Sequence, residues 1–170
     1  MRELVEILEI DVQNQTCTAD PGVTFCDLVR ATLAKGLAPM LVPELETITL
    51  GGAVAGCAVE SMAHKHGGFH DSCLEYEVVT AKGELLHCSR EPSSELFEML
   101  HGSYGTLGII TQLKFKLIPA KPFVLMQYWK FTAAERIDLA GISPGSWHVR
   151  QRWHDSPAPF SNQQRSKPPS

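Results

Sequence analysis

The sequence predicts an α+β fold in which helices flank a mostly antiparallel sheet and a disordered tail follows. Apolar and polar residues alternate in several short runs, which is the pattern of strands with one buried face. Other runs begin at a capping residue and continue with helical spacing. Beyond about residue 131 the periodicity fades, and the last thirty residues hold five of the eleven prolines. We therefore expect an ordered domain followed by a tail of different character.

The first element is predicted to be a strand. In Leu4–Ile10 apolar residues are interrupted by acidic ones, which fits either a strand or a short helix. We favour the strand because a second run, Thr16–Ala19, follows the polar turn Gln13–Gln15 and completes a hairpin. Pro21-Gly22 then punctuates the chain.

A helix is predicted over Phe25–Lys35. Thr24 is a suitable N-cap, and Gly36 is suited to the position just after the helix. The apolar face of this helix is expected to carry Leu28, Val29 and Leu33. After it, the proline-bounded segment Pro39–Pro43 is predicted to be extended.

The middle of the chain contains a glycine cluster and the clearest hairpin. Thr49-Leu50-Gly51-Gly52 leads into a potential helix of small residues over 53–58, and a glycine-containing loop is predicted over 64–70. Leu74–Thr80 alternates like a strand and Leu85–Cys88 returns after the turn at 81–84.

The next segments repeat the alternation of helix, loop and strand. Ser93 and Ser94 open a short helix over Leu96–His101, and a second glycine-rich loop, Gly102–Gly108, follows it. A long alternating strand is predicted over Ile109–Ile118 and ends at Pro119. Phe123–Trp129 is a candidate for one more strand.

Charge and hydropathy exclude two classes of protein. The chain has 15 basic and 19 acidic residues, so no basic surplus exists to neutralise the phosphates of nucleic acid. The longest uncharged stretch near Gly51 lies between Glu46 and Glu60, and its thirteen residues are too few to span a bilayer. We expect no nucleic-acid partner and no membrane span in this chain, although an anchor could lie in a missing part of the protein.

The cysteines point to a reducing compartment. None of the five lies in a Cys-x-x-Cys pair, and no signal peptide precedes them. We expect reduced thiols that pack as small apolar groups, which places the protein inside the cell, in the cytoplasm.

Glycine in the first cluster suits the binding of an anion. Glycine lets the backbone approach a bulky group, the first turn of a helix offers N–H donors, and Thr49 adds a hydroxyl. Neither cluster has the Gly-Lys-Ser/Thr ending of a P-loop, and Gly102, Gly105 and Gly108 lead into a strand, unlike the dinucleotide fingerprint. The alternative is that both clusters are only tight turns beside a packed core.

Other chemistries have little support. His64, His66 and His70 with Asp71 invite a metal interpretation, but Gly67-Gly68 makes a fixed geometry hard to hold, so we expect no metal site. No Gly-x-Ser-x-Gly elbow is present, and no cysteine is singled out by a histidine pattern.

The order of the motifs resembles one flavoprotein family. Thr49-Leu50-Gly51-Gly52, the small-residue run to Ser61, Glu77–Gly83, Gly102–Thr111 and Leu117-Ile118-Pro119 are similar to the second half of the FAD-binding domain of the vanillyl-alcohol oxidase and p-cresol methylhydroxylase flavoproteins. The similarity runs from about residue 3 to 128. Within the family, Ser61–Gly67 and Ile118-Pro119-Ala120-Lys121 most resemble the Delta24-sterol reductase branch.

The resemblance implies FAD as the cofactor and a set of binding residues. In the family, the turn that corresponds to residues 49–52 and the residues after it cradle the FAD pyrophosphate, largely through backbone N–H groups. The places are occupied here by Thr49, Leu50, Gly51, Gly52, Ala53, Ala55, Gly56 and Ser61. The strand after the second glycine loop presents its backbone to the adenine end, which implies Ile109 and Ile110.

The resemblance also implies an oxidoreductase, with reduction of a carbon–carbon double bond in a sterol-like lipid as the activity of its branch. The family's upstream glycine loop and its substrate domain have no counterpart here, so we expect a truncated or frame-shifted product: a partial FAD-binding domain over 1–130 and an atypical, disordered tail over 131–170. No catalytic side chain is assigned. One alternative is a non-catalytic remnant that at most binds a nucleotide or a partner chain, and another is a small metal-binding protein.

Overall fold

The computed structural model describes residues 3–60, 62–91, 94–121, 123–130 and 147–154, the last two ranges as backbone only. The strands are β1 (Ile7–Asp11), β2 (Thr16–Ala19), β3 (Leu37–Pro39), β4 (Cys73–Val79), β5 (Leu85–Ser89), β6 (Ile109–Pro119), β7 (Phe123–Lys130) and β8 (Trp147–His154). The helices are α1 (Phe25–Leu33), α2 (Leu50–Ala55), α3 (Ala63–His66) and α4 (Glu95–Leu100), with a 3₁₀-helix over Phe69–Ser72. The chain divides into two compact units, Met1–Pro119 and Ala120–Ser170.

The first unit is built on an antiparallel sheet with the strand order β1-β2-β6-β4-β5. β6 is its longest strand, with eleven residues. It pairs with β4 along one side and with β2 on the other, where the pairing runs from Thr16↔Lys116 to Ala19↔Leu113. β3 pairs with the end of the same strand. Three separate parts of the chain therefore depend on β6 for their hydrogen bonds.

The core lies on one face of this sheet, under the helices. Leu113, Phe115 and Leu117 alternate along β6 and are buried, as the period of two in a strand requires. The ring of Phe69 is packed edge-on against Phe25 from α1, at 5.0 Å between centroids, and against Phe115, at 5.3 Å. These three rings therefore connect α1, the 3₁₀-helix and the sheet.

The other face of the sheet is polar. A row of directly paired residues crosses its five strands and contains Ser89, Glu75, Lys114, Thr18 and Glu9. Within this row, the Lys114 ammonium lies 3.9 Å from the Glu75 carboxylate, and both side chains are substantially exposed. Such an exposed pair adds little to stability, so the row chiefly keeps this face hydrated.

The starts of α1 and α4 follow the predicted caps, whereas α2 covers Leu50–Ala55 and not the predicted run 53–58. The end and the buried face of α1 also differ from prediction. Thr24 accepts a hydrogen bond from the Asp27 N–H, as an N-cap does. The helix ends at Leu33 and not at Lys35, and it buries Thr32 while Leu33 is exposed. Thr32 tolerates burial because its hydroxyl donates to the Leu28 carbonyl at 2.9 Å.

The segment predicted as a loop over 64–70 is mostly helical. α3 ends at His66, and its C-cap Gly67 has a φ of +76°, which suits glycine. The 3₁₀-helix begins at Phe69. The glycines therefore separate two short helices. In the described ranges no helix is both long enough and apolar enough to cross a bilayer.

The second unit contains the antiparallel hairpin of β7 and β8. The register pairs Phe123 with His154 at one end and Lys130 with Trp147 at the other. β8 corrects the prediction of a disordered tail at residues 147–154: an antiparallel partner satisfies the backbone, and Trp and Val alternate with polar residues there. The rest of the predicted tail, 131–146 and 155–170, lies outside the described residues.

Truncation of Phe69 is expected to destabilise the first unit strongly. Phe69 is 1% exposed and contacts rings from both layers, so Phe69→Ala leaves a cavity and should lower the free energy of unfolding by about 3–5 kcal/mol. Urea unfolding monitored by circular dichroism measures this. Met99→Ala, at a position 58% exposed, is the control and should change stability by less than about 0.5 kcal/mol. Equal losses in the two variants would contradict the assigned core.

Candidate functional site

The first glycine cluster forms the start of α2, and the segment after β2 holds it in place. Thr49 is the N-cap of this helix and forms an antiparallel bridge with Thr24. The Gly51 N–H donates to the Pro21 carbonyl at 2.8 Å, and the Leu50 N–H donates to the Val23 carbonyl at 3.0 Å. The helix begins at Leu50, so both glycines lie in its first turn.

The two adjacent glycines of α2 face opposite environments. Gly51 is buried, and a Cβ placed on it would lie 2.7 Å from the Cβ of Pro21. Gly52 is exposed. Gly51 is therefore required by the packing of the helix against the segment after β2, whereas Gly52 leaves the backbone open to solvent.

The residues that the family resemblance implies for cofactor binding likewise divide into buried and exposed ones. Leu50, Gly51 and Ala53 are buried, Gly52 and Gly56 are exposed, and Thr49 and Ala55 are intermediate. Ser61 lies outside the described residues. The exposed surface of α2 is thus formed by residues 49, 52, 55 and 56, whose spacing places them on one helical face. Its largest side chain is that of a threonine.

The backbone donors of the first turn already have partners. Besides Leu50 and Gly51, the Ala53 N–H donates to the Thr49 carbonyl at 2.9 Å, and the Gly52 N–H donates to the Thr49 hydroxyl oxygen at 3.3 Å. The last of these hydrogen bonds is the longest and lies on the exposed face. The hydroxyl proton of Thr49 has no acceptor within the described residues. The donors that can turn to a ligand are therefore this hydroxyl and the Gly52 N–H.

The second glycine loop is attached to the other end of the same helix. The Gly102 N–H donates to the Val54 carbonyl at 3.2 Å, and the Tyr104 N–H donates to the Ala55 carbonyl at 3.1 Å. These bonds satisfy carbonyls that the C-terminus of a helix leaves without partners. The structure therefore brings together two glycine clusters that are about fifty residues apart in the sequence.

The residues after this loop enter β6 at a place where one side of the strand has no partner strand. Ile109 and Ile110 pair with Val79 and Val78 of β4. On the opposite side, the pairing with β2 stops at Leu113, and no other described strand continues it. Ile109 is 55% exposed, whereas Ile110 is buried. One edge of the backbone at Ile109 and Ile110 therefore has no partner among the described strands.

A histidine pair lies at the end of α4, just before the second loop. The His101 and His70 rings are 5.0 Å apart between centroids, and the Tyr76 hydroxyl lies 3.0 Å from Nε2 of His101. Burial, reinforced by His70, lowers the pKa of His101. Neither His101 nor Tyr104 stands out in the sequence, because their neighbours come from distant segments. His64, His66, His70 and Asp71 form no metal-ligating cluster among the described side chains.

The cysteine thiols are poor nucleophiles where they are buried. Cys17 and Cys73 are core residues, and desolvation raises the pKa of each thiol to about 12. The thiolate is the reactive form, so neither side chain offers nucleophilic catalysis at neutral pH.

Comparison with known proteins identifies related sequences. A family model described as an FAD binding domain matches residues 1–89, more than half of the chain. Delta(24)-sterol reductase of Homo sapiens is 34% identical over 137 residues, which cover 81% of this chain and 27% of that protein. Cytokinin dehydrogenase 2 of Oryza sativa subsp. japonica is 31% identical over 113 residues, which cover 66% of this chain and 20% of that protein. The chain spans about a quarter of the length of these relatives.

Solved structures show the same fold. Alkyldihydroxyacetonephosphate synthase superposes with a TM-score of 0.69 and 25% identity, over 79% of this chain and 24% of that structure. The 6-hydroxy-D-nicotine oxidase from Arthrobacter nicotinovorans gives a TM-score of 0.68 and 25% identity, over 82% of this chain and 31% of that structure. These neighbours confirm the predicted fold of an antiparallel sheet flanked by helices.

Acid is expected to destabilise the folded chain through His101. Its pKa lies below the usual 6.5, so between the two values the unfolded chain binds more protons than the folded chain. The free energy of unfolding therefore falls as the pH decreases below about 6.5. Above that pH His101 is neutral in both states and does not lower it. Between about pH 7.5 and about pH 5.5, urea unfolding should show a decrease in the free energy of unfolding. This decrease should be smaller in His101→Gln than in the unsubstituted chain.

The matched control for this prediction is His87→Gln, because the side chain of His87 is 74% exposed. This variant leaves His101 in place, so its free energy of unfolding should still decrease in acid. A decrease in His101→Gln as large as in the unsubstituted chain would contradict the lowered pKa of His101.

Proposed function

Since the chain belongs to the family of FAD-binding domains found in flavoproteins of the vanillyl-alcohol oxidase and p-cresol methylhydroxylase type, we propose that it binds the dinucleotide part of FAD at α2 and the start of β6. FAD is the cofactor of this family. The proposed binding set is the one that the family resemblance implies: Thr49, Leu50, Gly51, Gly52, Ala53, Ala55, Gly56, Ser61, Ile109 and Ile110. Their placement gives the members of this set different roles.

The observation that carries the proposal is the bare exposed face of α2. Gly52 and Gly56 are four residues apart, so they lie one above the other on the helix. With no side chain at either position, a bulky phosphate can approach the backbone closely. Thr49, three residues before Gly52, places a hydroxyl donor at the edge of this face. The face therefore fits a pyrophosphate in shape and in donor chemistry.

The electrostatics of this face do not oppose an anion. No acidic residue lies in the first turn of α2. The helix has only six residues, so its dipole is small, and the favourable terms come from hydrogen bonds. The Thr49 hydroxyl can donate to a phosphate oxygen, and the Gly52 N–H can share its long bond with one.

The buried members of the set act indirectly. Leu50 and Ala53 anchor α2 in the core, and Gly51 allows its close contact with Pro21. They fix the position of the exposed face, which would otherwise lose the precision that ligand binding requires. Ile109 and Ile110 offer the open backbone edge of β6 to the adenine end of the cofactor.

The activity that we propose for the parent oxidoreductase is reduction of a carbon–carbon double bond in a sterol-like lipid. The 34% identity to the human Delta(24)-sterol reductase supports this substrate class over the matched quarter of that protein. When bound, FAD supplies the chemistry of hydride transfer. The residues of this chain bind and orient the cofactor, and we assign no catalytic side chain to them.

An acidic substitution on the bare face is expected to abolish flavin retention without unfolding the chain. Gly52→Glu adds bulk and negative charge where the pyrophosphate would lie, so the affinity for FAD should fall about tenfold or more. Visible absorbance after incubation with FAD and desalting measures retention, and isothermal titration calorimetry measures the affinity. Because Gly52 is exposed, the free energy of unfolding should change by less than about 1 kcal/mol.

Met99→Glu provides the control for that experiment, because it adds the same charge at an exposed position on α4. It should retain FAD like the unsubstituted chain. Substitution of Gly51 is unsuitable, since its effect on packing would be confused with an effect on binding. Unchanged affinity in Gly52→Glu would refute the placement of the pyrophosphate, and a chain that retains no FAD would refute the proposed function.

Turnover distinguishes an oxidoreductase from a module that only binds flavin. If this chain alone carries the activity proposed for the parent oxidoreductase, its FAD complex, chemically reduced in the absence of oxygen, is reoxidised by a sterol with a double bond at carbon 24 and not by the saturated sterol. Each reoxidation transfers two electrons and two protons to the double bond, so flavin absorbance and saturated product should appear in equal amounts. Retained flavin with no sterol-dependent reoxidation would favour the alternative, a non-catalytic nucleotide-binding chain.

A further inference from the structure

Tyr104 combines two unfavourable features in one residue. Its side chain is 81% exposed, the largest value among the exposed large hydrophobic residues of the described chain. Its φ is +51°, in the left-handed region that residues other than glycine rarely adopt. An exposed aromatic ring on a strained backbone contributes little to the stability of this domain, and such outliers occur most often at functional sites.

The turn that contains Tyr104 shows why its backbone is strained. The Thr106 N–H donates to the Ser103 carbonyl at 3.1 Å, and the two central residues, Tyr104 and Gly105, both have positive φ. This is the pattern of a type I′ turn, whose first central position favours Asn, Asp or Gly. Local preference therefore does not explain a tyrosine here.

The position of Tyr104 is fixed relative to α2. Its own N–H donates to the Ala55 carbonyl, and Gly102 donates to Val54 next to it. The six residues of α2 rise by about 9 Å from the Thr49 end to the Ala55 end. Along the helix axis, Tyr104 therefore lies about 9 Å from the Thr49 end and about 4.5 Å from Gly52, within reach of a nucleotide whose pyrophosphate binds these donors.

We propose that Tyr104 is a binding residue that stacks its ring on the adenine of the bound dinucleotide. This inference rests on the proposed function and deepens it. The adenine is the relevant ring because the same loop continues directly into Ile109, whose backbone edge faces that end of the cofactor in the proposed arrangement. An aromatic side chain can stack on a base with one face of its ring while the rest of the ring stays exposed to solvent.

The test compares Tyr104→Asn with Tyr104→Phe. Asparagine is a preferred residue at this turn position, so Tyr104→Asn should fold at least as stably as the unsubstituted chain while it lacks the ring. We expect its affinity for both FAD and ADP to fall about tenfold, since ADP carries the adenine and the pyrophosphate without the flavin. Tyr104→Phe keeps the ring and should restore both affinities.

Calorimetry on the full 170-residue chain gives the affinities, and urea unfolding checks the fold of each variant. A loss for FAD and ADP in Tyr104→Asn, with recovery in Tyr104→Phe, supports the inference. Unchanged affinities in Tyr104→Asn overturn it but leave the proposed function intact. A loss for FAD alone overturns the assignment to adenine. An unsubstituted chain that binds neither ligand overturns the inference and the proposed function together.

Discussion

The structure of the first unit depends on the pairing of β6. This one strand supplies hydrogen bonds to β2, β3 and β4, and its buried side chains Leu113, Phe115 and Leu117 form the floor of the core. A change in its register by one residue would turn those side chains to the polar face and expose the polar row to the helices. Because Ile109 begins the strand, the same register also fixes where the second glycine loop emerges. Sheet stability and site geometry are therefore set by one element.

The proposed site is a fixed helix surface, and few of its backbone N–H groups are without a partner. All first-turn donors of α2 are engaged with the protein, through Pro21, Val23 and Thr49. Unmet N–H groups would favour an anion, but they would also cost stability in the empty domain. Here the protein itself supplies partners for these donors, and the recognition that we propose relies on the absence of side chains at Gly52 and Gly56. Gly51 meets a different demand, since it lets the helix lie against Pro21.

The sequence predicts the local parts of this structure well and the long-range parts poorly. The hairpin of β4 and β5, the cap at Thr24 and the length of β6 depend on neighbouring residues, and each is confirmed. The burial of Thr32 in place of Leu33 depends on what α1 packs against, which periodicity does not reveal. The attachment of Tyr104 to Ala55 and the contact of His70 with His101 join segments far apart in the chain. The strand β8 depends on its pairing with β7, which the composition of the tail does not reveal.

The polarity of the sheet limits where a flavin nucleotide can bind this unit. One face is filled by the core. On the other, Lys114 lies beside Glu75, and Glu9 and Glu77 add negative charge that opposes a pyrophosphate. The edge strands β1 and β5 have no glycine cluster beside them. The start of β6, before its pairing with β2 begins at Leu113, lacks these obstacles, and the loop that precedes it is hydrogen-bonded to the end of α2. In the proposed arrangement, the short pairing of β2 makes room for the nucleotide, and α2 supplies the floor of its site.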